Sequence, residues 1–338
     1  MAYILNDPSI FDLKLTLFDV YYLSVENKAY GSLPFRWAIN NNIVNLKLTE
    51  MVAAVEGRLD LLIYLYEIGY LTSEYIIWVV VRYGHLDCLI YLRRIGFKWN
   101  LRTCATAAKY GHLEILRYLH EQGCEWNRWT CEAAAENGHL DCLIYAHENG
   151  CEWNSTTFHK AAENGYLNIL QYLYRESCPW SKFTCSSASE NGHLDCLIYL
   201  HEKGCPWDEG TCSMAARKGH LDCIIYAHEK GCDWNAWTCA EAAGRGHLDC
   251  IVYAHEHGCP WDRFTCLLPA RHGHLDCLKY AHERGCPWDA GVSGNAAGYG
   301  HLDCLVYALQ EGCPWSRHYC KDVKDSRIRT YLINEGLC

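Results

Sequence analysis

Apolar and polar positions along this chain fall into two short helical patterns, one after the other, that recur every 27 residues. In the stretch beginning at Asp208, Cys212, Ala215 and Ala216 lie three and four apart, marking one face of a first helix that stops near Gly219. Leu221, Ile224, Ile225 and Ala227 then trace the buried stripe of a second helix, which Gly231 closes. Asp208 stands where a first helix needs an N-cap, and Asn100, Asn127, Asn154, Ser181, Asn235, Asp262, Asp289 and Ser316 take its place in other copies. Each such side chain accepts a bond from a free N–H of the first turn, worth about 1 kcal/mol. Asp222 places negative charge at the start of the second helix, where the helix dipole favours it. Pro179, Pro206, Pro260, Pro287 and Pro314 hold the linkers to the next copy extended.

The glycine that ends the first helix falls at Gly57, Gly84, Gly111, Gly138, Gly165, Gly192, Gly219, Gly246, Gly273 and Gly300, with no slip in register. A period of this length is the mark of a stacked array. Helices of two turns do not persist alone in water, so stacking must stabilise them. Trp99, Trp126, Trp153, Trp180, Trp207, Trp234, Trp261, Trp288 and Trp315 share one register. Such a row either stacks on ligand rings or fills the gap between successive copies, burying roughly 150–250 Å² per indole. The second is expected, because an apolar anchor is needed between the helix end and the next cap. The glycine due at position 327 is Arg327, and Arg329 to Gly336 resembles a second helix displaced by three residues. The expected organisation is an atypical N-terminal cap over residues 1–41, an array over 42–316, and a C-terminal capping half-repeat over 317–338.

Hydrophobic residues make up 50% of the chain and charged ones 21%, which excludes a disordered protein. The net charge of −10 argues against nucleic acid or an anionic membrane as partner. No signal peptide and no membrane-spanning run is evident, so a soluble protein of a reducing, cytoplasmic compartment is expected. Of 23 cysteines, 22 occupy three repeat registers, typified by Cys131, Cys142 and Cys151, and the last is Cys338. Phe158, Ile115, Ile169, Phe97 and Ser293 stand in those registers elsewhere. Ile and Phe replace a small buried hydrophobe but not a bridge partner or ligand, so buried thiols are expected.

His139, Cys142, His147 and Cys151 recur together and raise the question of zinc. The copy at Gly165 keeps the frame with Tyr166, Ile169, Tyr174 and Cys178, so metal does not specify the fold. Cys, His and Asp are part of the repeating pattern in most copies, whereas a catalytic set is one that breaks a pattern; no phosphate loop or nucleophile elbow is present. No cofactor, metal or enzymatic activity is expected.

Partner contacts should come from positions that vary while the frame stays constant. The two residues before each glycine include Glu136, Glu163 and Glu190, followed by Arg217 with Lys218, Arg245 and Arg271. One edge of the array therefore changes sign between Glu190 and Arg217, giving a bipolar groove. Trp129, Phe183, Trp237 and Phe264 share a register on the first helix and are candidate exposed aromatic anchors.

The block Ala134-Ala135-Glu136-Asn137-Gly138-His139-Leu140-Asp141, closed by Gly150-Cys151-Glu152-Trp153-Asn154, resembles the ankyrin repeat, over about residues 42–336. The resemblance departs in period, 27 residues instead of the usual 33, with the shortfall between Asn154 and Thr157, and in having Thr-Cys where the family has Thr-Pro-Leu-His. It implies an all-α solenoid with β-hairpin fingers reduced or absent, and a non-catalytic scaffold that binds a partner protein on its concave, helix-lined face. Cys- and Trp-rich arrays of this kind look like ankyrin-type viral proteins of giant DNA viruses of amoebae, which implies a host protein as partner. Leu23-Ser24-Val25-Glu26, followed by Trp37, is similar to the second half of an F-box. That likeness implies, as an alternative, the substrate receptor of a ubiquitin ligase.

Overall fold

The computed structural model describes residues 46–338 other than 72, 74 and 182, so the F-box-like segment and the cap expected over residues 1–41 lie outside the described residues. The described residues form 21 α-helices and one short 3-10 helix, with no strand. The chain divides into two compact units, Met1–Trp153 and Asn154–Cys338. Each is a stack of the helix pairs that the 27-residue period predicts. In the pair Glu209–Lys218 and Leu221–Glu229, Asp208 accepts from the Gly210 N–H at 3.0 Å and Gly219, at φ 80°, ends the first helix. The other predicted caps behave alike, with Asn127, Asn154 and Asn235 accepting from the second residue onward. Ser316 departs: its hydroxyl meets His318 Nδ1 at 2.6 Å and a 3-10 turn, Arg317–Lys321, follows. Where the hairpin finger would stand, the chain passes directly from Asn154 into the helix Ser155–Glu163.

Successive first helices pack through small side chains; Ala215, Ala216, Ala242 and Ala243 are wholly buried. Second helices contribute Cys223, Ile224, Cys250 and Ile251 to the same core. At three of the second helices the opening histidine ties one copy to the one before. His85, His112 and His193 place Nε2 at 2.8, 3.0 and 3.2 Å from the carbonyls of Val55, Arg82 and Glu163. A carbonyl only accepts, so Nε2 carries the proton in each. The glycine ending the first helix makes room for that ring: a Cβ on Gly246, at φ 82°, would lie 2.6 Å from His274 Nδ1. The residue two before the glycine, one of the variable edge positions, thus has its backbone anchored by the next copy.

The tryptophans lie between successive copies and are half-buried there. Trp126, Trp153, Trp207, Trp234, Trp261 and Trp288 lie flat on the histidine six residues earlier; His228 and Trp234 have centroids 4.0 Å apart at 10°, and His255 and Trp261 3.8 Å at 11°. In that place Trp99 meets the Arg93 guanidinium and Trp180 stacks on Tyr174. The tyrosine of the following copy closes the set edge-on, with its hydroxyl on the histidine Nδ1 (Tyr253 to His228, 3.0 Å; Tyr280 to His255, 3.1 Å). Burial holds His228 below the usual histidine range, with His257 adding to the effect. The ring is therefore neutral and the hydroxyl donates. The seam between copies is a polar aromatic ladder, which an apolar anchor alone would not require.

In the register of Cys131 and in that of Cys151 the thiols donate weakly to carbonyls, Cys151 Sγ to Asn127 O at 3.1 Å and Cys131 Sγ to Cys151 O at 3.9 Å. Ser293 takes the same part through Pro314 O at 2.6 Å. One pair corrects the expectation of thiols throughout: Cys320 and Cys338 form a disulfide. It joins the 3-10 turn to the chain end beyond the helix Ser326–Asn334, which is the second helix shifted three residues early.

Candidate partner-binding surface

In the first unit, three successive first helices, Tyr75–Tyr83, Leu101–Lys109 and Arg128–Glu136, border a hollow of about 770 Å³. Ala105 and Thr106 provide a low floor, Tyr75, Trp78 and Trp129 stand around it, and Lys109 and Glu136 mark one edge. Tyr75 is 77% exposed, and Trp78 and Trp129 are also open to solvent. Arg128 Nε lies 3.8 Å from Glu132 Oε1, and the Arg82 guanidinium lies 5.2 Å over Trp78 and 5.3 Å over Tyr110.

Two of the residues singled out in the sequence, Trp129 and Glu136, therefore line one hollow. Tyr75, Trp78 and Arg102 line it too and were not singled out. Tyr75 and Arg102 stand 54 and 27 residues before Trp129, so their signal was that shared register, and the signal for Trp78 was the break in pattern at Tyr75-Ile76-Ile77-Trp78, where other copies carry Thr-Cys.

In the second unit the predicted residues form a row along the C-terminal ends of the first helices. Glu163, Glu190, Arg217 and Arg271 are half-buried, while Lys218 and Arg245 are exposed. Lys160 Nζ pairs with Glu163 Oε2 at 2.9 Å, Arg217 Nε approaches Glu241 Oε2 at 3.9 Å, and the Arg271 guanidinium lies 4.7 Å over Tyr299. Phe183 and Trp237 are more than half exposed. Phe264 is half-buried and stacks on Trp237 at 5.6 Å and 18°, which corrects its reading as an exposed anchor.

The thiols differ by register: a bond from the neighbouring Cys104, Cys131 or Cys185 thiol lowers Cys124, Cys151 and Cys205, whereas the register of Cys142 is raised. Burial, with Asp222 and Asp249 adding to it, pushes Cys223 and Cys250 up to about 12. Burial also lifts Cys142, beside Asp141, to about 11. Thiols so protonated at neutral pH are inert. Among the described residues no group of three or more His, Cys, Asp or Glu could hold a metal ion. No helix among them is long and apolar enough to cross a membrane.

Residues 131–210 match the family described as ankyrin repeats (3 copies), and residues 104–147 match that described as ankyrin repeats (many copies). No curated protein matches the chain. The crystal structure of the human ASB11 ankyrin repeat domain aligns with 52% of this chain and 96% of its own, at 17% identity and a TM-score of 0.44. Ankyrin repeats generally mediate protein–protein interaction and are typically non-enzymatic. Residues 104–210 are thus similar to ankyrin repeats, in a short and cysteine-rich form, and the helix pairs on either side of them keep the same 27-residue register.

Proposed function

We propose that the chain is a non-catalytic scaffold that binds a partner protein through the face made by its first helices, the concave face of ankyrin arrays. The observation that carries this reading is the hollow of about 770 Å³ in the first unit, bordered by the exposed rings of Tyr75, Trp78 and Trp129. Large aromatic groups left in solvent by a fold able to bury them are what interface hot spots are made of. The charged row from Glu163 to Arg271 supports the same reading in the second unit, since ordered charges select partners and speed encounter.

The test is capture from lysate on the intact chain against Tyr75→Ala with Trp129→Ala, and against Arg217→Glu with Lys218→Glu and Arg245→Glu. Truncating two anchors should lower recovery of specific proteins roughly tenfold or more. Far-ultraviolet circular dichroism should be unchanged. Equal recovery by all three chains at low salt would end the proposal.

A further inference from the structure

We infer that the second unit takes an acidic segment in the polyproline II conformation, with a carboxylate at every third residue, along the row Lys218, Arg245 and His272. This inference rests on the proposed role of the first-helix face and adds the chemistry of the partner.

Lys218, Arg245 and His272 are exposed and occupy the same position, just before the glycine, in three consecutive copies. Half-buried Arg217 and Arg271 stand beside them, and Gly244 leaves the middle of that inner row without a side chain. The first helices Glu209–Lys218, Ala236–Gly244 and Phe264–His272 pack side by side. Helix axes in such contact are about 8–10 Å apart. A Cβ on Gly244 would lie 2.8 Å from Leu268 Cβ, so the helices Ala236–Gly244 and Phe264–His272 are in direct contact. A polyproline II chain shows the same face every three residues, a rise of about 9 Å. Its period therefore matches that of the cations, whereas a β-strand returns to one face every two residues, after about 7 Å.

The histidines of this region feel the cations of the row. His272 and His274 are held below the usual histidine range first by burial and then by the cations around them. Arg245 and His301 act on both, with Arg271 acting on His272; Glu241 opposes the effect at His272 and is itself drawn to Arg217 at 3.9 Å. His272 is thus neutral near pH 7 and offers one N–H; on acidification it becomes a third cation of the row.

Fluorescence anisotropy on the full chain tests this with labelled Glu-Pro-Pro-Glu-Pro-Pro-Glu, the isomer Pro-Pro-Glu-Glu-Glu-Pro-Pro, and the lysine analogue of the first. The spaced glutamate peptide should bind about tenfold more tightly than its isomer, and the lysine peptide should not bind. Added salt should weaken the complex. Lys218→Glu with Arg245→Glu should lower affinity about tenfold or more while leaving circular dichroism unchanged. Affinity should rise as the pH falls below about 6.5, the ordinary histidine value, and this rise should shrink in His272→Asn. Equal affinity for the two glutamate isomers, or affinity indifferent to the double substitution, overturns the inference. If the peptides fail while Tyr75→Ala with Trp129→Ala still abolishes capture of a protein, the partner chemistry is wrong and the scaffold reading stands. If both fail, the scaffold reading falls as well.

Discussion

The two compact units share one frame and present different faces. In the first, Tyr75, Trp78 and Trp129 surround a hollow floored by Ala105 and Thr106. In the second, the corresponding helices carry a line of charge that runs from Glu163 and Glu190 to Arg217, Lys218 and Arg245. Nothing in the cores demands the difference, since paired alanines, the glycine and the histidine are common to both. Because each copy leans only on its neighbours, surface positions are free to diverge copy by copy without disturbing the stack. An aromatic hollow suits an apolar anchor, whereas a charged row suits an extended acidic segment.

Alkaline pH should separate the units most. In the second unit burial raises Cys178, Cys196, Cys223 and Cys250 to about 12 and Cys277 and Cys304 to about 11, against Cys88 and Cys142 at about 11 in the first. Folding keeps the proton on these thiols, while the unfolded chain loses it near pH 8.5. Their stability is therefore fully present below about pH 8.5 and drains as pH rises toward the folded values, at about 1.4 kcal/mol per pH unit for each thiol. Pulsed alkylation read by peptide mass spectrometry should find thiols of the second unit opening first; simultaneous opening would break the contrast.

Next in size is a pair of glycines within the second unit. Gly246→Ala should cost about 2–4 kcal/mol, because a positive φ and the His274 ring both oppose a Cβ. Gly258→Ala, at φ 84° with nothing within 4 Å, should cost only about 1–2 kcal/mol. Urea denaturation gives both; equal losses would show that the histidine contact does not hold the copies together.

Trp207→Ala should cost about 1.5–2.5 kcal/mol, roughly half the usual loss for a buried indole, since Trp207 is half-buried against His201 at 3.9 Å. A loss near 4 kcal/mol would mean that the ladder is the core and not its margin. Smallest are the face substitutions. Trp129→Ala and Lys218→Glu should each move stability by no more than about 0.5 kcal/mol, a near-zero effect that keeps binding losses interpretable.

Much of this was legible in the residues. The caps at Asn127, Asn154 and Asp208, the αL glycines and the buried Ala pairs follow from local rules, because each depends on neighbours within a few positions. The histidine that opens most second helices was legible only as part of a motif. At His85, His112 and His193 its role lies 30 residues away, on the carbonyl of the previous copy, and no local pattern reports that. Trp129 was found as a variable aromatic; Tyr75 stands 54 residues before it in the same register and was legible by the same rule, whereas Trp78 lies outside that register. Phe264 shows the converse: it kept the register, yet its ring lies against Trp237.

By itself the sequence determined the period, the helix pairs and which side chains the stack must bury, because 27-residue spacing and 3.6-residue helices admit few solutions. Only the tertiary structure decided that most of the indoles lie half-open on histidine rings, that Cys320 reaches Cys338, and that three successive first helices border a hollow. These depend on how far apart neighbouring copies settle, a distance set by the fit of side chains that are remote in the chain.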